Sequence, residues 1–396
     1  MLEAKPYLLN NTIQNYAWGR KGDEAYIPKL LGEEIESGKP YAELWIGAHE
    51  KAPSVITVDE NNKNLFELSE SGELYASNKK QPFPFLLKVL SAAQSLSIQT
   101  HPNKKQAELF HQQDPKNYAD DNHKPEIAIA LDELVALAGF RSREEIVSVC
   151  ENYDFFKAVL PDATNDLIAS SDGFSSKFQL FIKELFQKAL NESEFFLKEL
   201  NSMKEALSLK SNPTEKDLLF LELKEVYAHA DAGLLMIYLL NHITLKQGQA
   251  MFIDAGVPHA YLKGNIVECM ANSDNVVRAG LTPKFQDVPR LLDILDYKFG
   301  LPDVIKPRDS VFYEYAVPVK DFQIHALKLA ATESWEYLSQ DKLSILLVIE
   351  GKISLDHEGC KVLTKGQSVL LPCHLKSLKL SNEKSEACLI YMVSYR

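Results

Sequence analysis

The periodicity of apolar residues changes twice along these 396 residues, and that change limits the folds open to the chain. Through the first 140 residues, short apolar runs at 41–47, 84–90 and 126–131 alternate with Gly, Pro, Asn and Asp, as strands joined by turns do. From Ser142 the period becomes helical. Ser142 and Glu145 stand at capping-box spacing, and Phe178, Phe181, Ile182, Leu185, Phe186 and Ala189 form one helical stripe. Asn212-Pro213 supplies a cap and a first-turn proline for a further helix carrying Leu218, Leu219, Leu221, Leu223 and Val226. After Gly248 the strand pattern returns at 251–253, 266–270 and 276–277, and it continues at 343–349, 353–355, 362–363 and 369–371. The expected fold is mainly β with a helical insertion: a first β domain from 1–141 and 241–309, helices at 142–240, and a C-terminal β domain at 310–396. Gly248-Gln249 and Gly366-Gln367 each open an apolar strand that leads to a Pro and a His, as in a diverged pair of jelly rolls.

Composition narrows the partners. With 43 Lys+Arg against 55 Asp+Glu, the net charge of −12 repels phosphate backbones and anionic lipid, and no long basic run offsets it. Neither nucleic acid nor a membrane is expected as a partner, and the chain is expected to be a monomer. Cys150, Cys269, Cys360, Cys373 and Cys388 are odd in number and form no close pair, so they read as reduced core fillers of a cytoplasmic protein. The longest apolar segment, 233–240, is too short to span a bilayer, and the N-terminus has no leader pattern.

Three windows carry chemistry. Period-two alternation through 96–101 puts Ser97, Gln99 and His101 on one face, with Leu96, Ile98 and Thr100 on the other, and Pro102 ends the strand. Inward polar groups left unpaired cost about 1–3 kcal/mol each, so this face must be solvated, hydrogen-bonded or metal-bound. Lys124 and Glu126 share a face at the mouth of a strongly apolar strand, and His259 follows the Gly256-Val-Pro corner. Gln99, His101, Glu126 and His259 together suit zinc, with one position left for water or substrate. Taken singly, each is more often a hydrogen-bonded β residue than a ligand, and only their convergence would carry weight.

The segments FLLKVLSAAQSLSIQTHPNK at 85–104, HKPE at 123–126 and NSDNVVRAGLTPK at 272–284 resemble the type I mannose-6-phosphate isomerases, and the likeness extends over nearly the whole chain. The resemblance implies a zinc-dependent fold of two cupin-type jelly rolls, with Gln99, His101, Glu126 and His259 as ligands to one Zn2+ per chain and Arg278 in the active site. It also implies interconversion of mannose 6-phosphate and fructose 6-phosphate through an enediol. Candidates for moving the proton or holding the enediolate are Glu268, Lys124 and Arg278. Lys88, Lys284 and Ser97 are the expected phosphate ligands, a focused cluster that an acidic chain needs for a dianion. Lys79, Lys80, Lys104 and Lys105 read as plain surface, while Trp18 and Trp45 read as core more than as sugar platforms. His357 and His374 lack a matching Gln or carboxylate, so the C-terminal domain is expected to bind no metal, and the helices are expected to cap the pocket. Two other classes compete: a non-catalytic cupin that senses a sugar phosphate, and an iron oxygenase. The second would not use an amide ligand or need a phosphate cluster.

Overall fold

The computed structural model describes residues 2–75, 80–358, 360–384 and 386–395. Its largest sheet has eleven strands, and the strands Ala250–Ile253, Glu126–Ala130, His259–Ala271, Phe85–Ala92 and Glu43–Gly47 lie side by side in that order. The strand His259–Ala271 bends to serve two sets of neighbours. Its first half pairs with Leu134–Phe140 and, at His259, with Gln99 of the short strand Ile98–Thr100; its second half lies between Phe85–Ala92 and Glu126–Ala130. The changeover falls at Gly264, where φ is +135° and a Cβ would collide with the Glu133 carbonyl and Leu134 Cα. Only glycine fits there.

This bend brings three polar residues onto one face, because Glu268 opposes both Lys88 and Ala128 while Met270 opposes Glu126. The other face, with Leu87, Val89, Ile127, Ile129, Val267 and Cys269, is apolar and packs with Ile345, Leu347 and Tyr391 of a second, six-stranded sheet. That sheet holds Phe312–Tyr315, Gln323–Leu329, Ser344–Glu350, Ser368–Leu371 and Cys388–Ser394, and also Tyr7–Leu8 from the N-terminus, where Tyr7 pairs with Leu370. The first strand of the chain therefore completes the sheet built from its last 90 or so residues. A four-stranded sheet covers the remaining face around Leu346, Val348 and Ile390.

Seven helices lie between Arg143 and Leu239 among the described residues. Ser142 and Glu145 do form the reciprocal capping box, and the Phe178 to Ala189 stripe is buried. The helix expected to start at Pro213 begins two residues later. Thr214 is its cap, accepting from the Asp217 N–H while the Asp217 carboxylate accepts from Thr214, so Asn212 and Pro213 lie outside it. Of the residues expected along it, Leu223 is buried but Leu218 and Val226 are exposed, and Phe220 joins Leu223 on the inward face. The ten-residue helix Lys104–Gln113 falls in a region expected to be strands, capped by Asn103 and Gln106 and burying only Ala107 and Phe110. The helical segment packs on the flank of the eleven-stranded sheet, against Leu137, Ala260, Val277 and Ala279. In this structure it buttresses the strand Val277–Gly280. Gly280, at φ +130°, touches the Gly233 backbone, and the Asp231 carboxylate accepts from the N–H groups of Gly233, Leu281 and Thr282 at 2.7, 3.0 and 3.1 Å.

The five cysteines are free, and all but Cys360 are buried. Lys80, Lys104 and Lys105 are exposed, whereas Lys79 lies outside the described residues.

Candidate metal centre and active site

His101, Glu126 and His259 are fully buried, and one ligand atom from each lies within 4.8 Å of the others. His101 Nε2 is 3.4 Å from Glu126 Oε2, and His259 Nε2 is 3.2 Å from Glu126 Oε1. The other nitrogen of each ring is taken by backbone: His101 Nδ1–H donates to the Asn275 carbonyl at 2.7 Å, and His259 Nδ1–H to that of Val257 at 2.9 Å. Both imidazoles are thereby held in the tautomer whose Nε2 presents a lone pair to the centre. Gln99 lies 3.5 Å away, amide nitrogen to His259 Nε2; turning the amide end for end presents its oxygen instead. The short strand runs only from Ile98 to Thr100, so Ser97 precedes it, half-buried, and Leu96 packs with a different cluster from Ile98.

Electrostatics test whether a cation fits. Burial alone would raise the Glu126 carboxyl, but the Lys124 ammonium, 3.4 Å from Oε2, holds it below the usual carboxylate range. Burial, with Lys124 nearby, lowers His101 to about 4, so its ring is neutral near pH 7. His101 Nε2 and Glu126 Oε2 are then two acceptors facing one another, and neither has a hydrogen-bond partner. Buried acceptors left this way cost about 1–3 kcal/mol each, and a divalent cation between them removes the conflict. Two imidazoles, one carboxylate and one amide oxygen are a donor set that zinc accepts.

Around this centre the other expected residues divide into three groups. Lys124 is buried beside Glu126. Lys88 and Glu268 form a buried pair at 3.1 Å; Glu43 lies 3.9 Å from the same ammonium, which sits over the Trp45 ring. Burial, which would lower Lys88, is outweighed by Glu268 and Glu43, so it stays charged; burial raises Glu268, with Lys88 pulling the other way. Arg278 opposes Gln99 across the strand pair and is half-buried, with no carboxylate partner among the described residues. Lys284 is not drawn into this group: it is exposed, and only its backbone N–H is held, by Thr282 Oγ1 at 3.1 Å. Of the two tryptophans weighed as sugar platforms, Trp45 is buried and Trp18 is half-buried, stacked on Tyr16.

Three contributors were absent from the sequence reading. Tyr261 donates its hydroxyl to Glu126 Oε1 at 3.0 Å, Glu43 completes the Lys88 pairing, and Asn275 supplies the carbonyl that orients His101. Tyr261 lies two residues beyond His259, on the same face of the strand, which period two alone would have found.

Comparison with known proteins agrees with this architecture. The family model "Phosphomannose isomerase type I, catalytic domain" matches residues 7–143. The chain is 39% identical over 382 residues to mannose-6-phosphate isomerase of Rattus norvegicus, with 89% of each chain covered. It is 38% identical over 384 residues to that of Homo sapiens, again with 89% of each covered. Among solved structures it is similar to a mutant phosphomannose isomerase from Salmonella typhimurium, with TM-score 0.84 and 32% identity over 98% of this chain and 99% of that one. It is also similar to a zinc-bound holo mannose 6-phosphate isomerase, with TM-score 0.83 and 30% identity over 99% of both chains. On this extent of identity, the chain belongs to the type I mannose-6-phosphate isomerase family.

Proposed function

We propose that this chain interconverts mannose 6-phosphate and fructose 6-phosphate, with one zinc ion per chain held by Gln99, His101, Glu126 and His259. The observation that carries the reading is the buried encounter of His101 Nε2 with Glu126 Oε2, two acceptors without a donor between them. Zinc bound there supplies Lewis-acid polarisation of the sugar oxygens. The chain's own groups do the rest. Glu268, its carboxyl raised by burial and tied to Lys88, is suited to carry a proton between adjacent carbons, and Lys124 is close enough to the centre to share that work. Arg278, which meets no carboxylate among the described residues, brings a guanidinium that can hold enediolate or phosphate charge. Lys88, already paired with two carboxylates, adds to the local field more than it offers a free cation, while Ser97 and Lys284 complete the substrate-binding set on the strength of their motifs. Glu43, Glu126 and Glu268 outnumber Lys88 and Lys124 by one charge, so the buried cluster repels a dianion until a divalent cation is added. Fructose 6-phosphate formation from mannose 6-phosphate, followed in a coupled assay, should vanish on chelation and return with zinc; turnover undiminished by chelation would overturn the reading.

The two β regions are read as a pair of cupin-type jelly rolls, divided with the helices at 141/142, 240/241 and 309/310. Their Gly-Gln turns support this: Gly248 and Gly366 have φ of 77° and 85°, and Gln249 and Gln367 each accept, through Oε1, the backbone N–H three residues earlier at 2.8 Å. The net charge of −12 favours neither nucleic acid nor anionic lipid as a partner. Among the described residues no helix is long and apolar enough to cross a membrane. The free cysteines support a chain working on a sugar phosphate in the cytoplasm, and we read it as a monomer.

A further inference from the structure

His101 is aimed by a backbone carbonyl, that of Asn275, and a carbonyl is only as well placed as the loop that carries it. This loop, 272–276, joins the strand His259–Ala271 to the strand Val277–Gly280. It is clasped by Asp120. One carboxylate oxygen accepts from Ser273 Oγ at 2.7 Å, and the other accepts from the Asp274 N–H at 2.8 Å. The buried Asn275 side chain donates to the Asp120 carbonyl at 2.7 Å, to its Oδ1 at 3.2 Å and to the Asn122 carbonyl at 2.9 Å. Asn122 closes the clasp, its N–H on Asp120 Oδ1 at 2.9 Å and its amide on the Asn272 carbonyl at 3.2 Å. Both residues lie in the segment that runs into Lys124-Pro125-Glu126, so the clasp ties the approach to one metal ligand to the loop that orients another.

Resting on the metal site argued above, we propose that Asp120 is a positioning residue for the metal centre: it fixes the 272–276 loop so that the Asn275 carbonyl holds His101 Nε2 toward Glu126. Asp120 acts only through this loop. The side chain that would be mutated to disturb His101 from behind is therefore Asp120, since the group contacting the ring is main chain.

Asp120→Asn keeps the shape but turns one acceptor oxygen into a donor facing Ser273 Oγ or the Asp274 N–H. The zinc dissociation constant of this variant, read by chelator competition on reloaded apoprotein, should rise about 10- to 100-fold. The visible spectrum of its Co2+-substituted form should shift from that of the parent, because the ligand field follows the aim of His101. Ser273→Ala, which removes one of the clasping donors, should change both readouts in the same direction by a smaller factor, and it decides the matter if Asp120→Asn does not fold. A folded variant that loses thermal stability yet keeps the parent's zinc affinity and cobalt spectrum overturns the proposal. A parent chain that binds no zinc at all overturns the reading of the site instead, so the parent control separates the two failures.

Discussion

At the scale of single side chains, Arg278 stands apart: its charge is half-buried, desolvation lowers its affinity for its own proton, and no carboxylate meets it among the described residues. Lys88 and Lys124, by contrast, each have a buried Glu within 3.4 Å. A cation kept without a carboxylate beside the proposed metal site is best explained by an anion that arrives with the substrate. Arg278→Ala should therefore leave zinc content unchanged while lowering kcat/KM by roughly 10²- to 10³-fold. Arg278→Lys should recover only part, since a point charge replaces a planar fork. Metal analysis beside the coupled assay decides it, and a matching loss of zinc would move Arg278 to a supporting role. The same residues show what a sequence reveals of a site. Side-chain types and strand alternation were enough to nominate Gln99, His101, Glu126 and His259, and the structure brings all four together. Asn275 escaped because it contributes a carbonyl, which every residue has, and Glu43 because it lies in an otherwise apolar run. Lys284 was nominated from its motif alone, and its exposed position gives it no contact with the cluster that spacing could have foreseen.

At the scale of elements, local chemistry was most legible where a cap and a stripe agree, as from Ser142 to Ala189. It misled where two caps competed: Asn212-Pro213 looked sufficient, but Thr214 with Asp217 satisfies two orphan N–H groups reciprocally and so sets the start. The helix Lys104–Gln113 was missed because it buries two side chains and has little apolar period to read. Lys216, on the helix Glu215–Val226, shows how two elements are joined at a price in charge. Its ammonium donates to the carbonyls of Tyr238 and Leu240 at the end of the helix Gly233–Leu239. Burial, and then Arg141, lowers it to about 7 from an ordinary 10.5. Between those values the unfolded chain holds a proton that the folded chain has released, so stability rises with pH across that window, by at most about 1.4 kcal/mol per pH unit. Below about 7 both states are charged and the penalty is complete. Lys216→Met removes it. Whatever the lost carbonyl contacts cost applies at every pH, so the diagnostic is the change with pH: relative to the parent, the variant should gain more stability near pH 6 than near pH 9 in urea titrations. An equal difference at both would show that Lys216 titrates normally.

At the scale of the whole molecule, the proposed metal site stands on one face of a sheet whose other face is covered by a different part of the chain. Ile127, Ile129, Val267 and Cys269 alternate with the polar face carrying Glu126 and Glu268, and they are buried against Ile345, Leu347 and Tyr391. Neither sheet could expose that surface without opening a large apolar patch to water. The N-terminal strand strengthens the tie, since Tyr7 and Leu8 pair with Leu370 and Val369 across nearly the full length of the sequence. This coupling was not visible beforehand, because a two-residue strand has no period to read and an apolar run does not name its partner. It has a thermodynamic consequence. The two β layers should unfold in one calorimetric transition in the full chain, as elements sharing a single core do. A chain ending at residue 309 keeps every proposed zinc ligand but loses the cover over that apolar face. It should be insoluble or bind a hydrophobic dye strongly, and it should hold zinc far more weakly than the full chain. If that fragment instead folds and loads zinc like its parent, the catalytic sheet is self-sufficient, and the C-terminal layer must be retained for some reason other than packing.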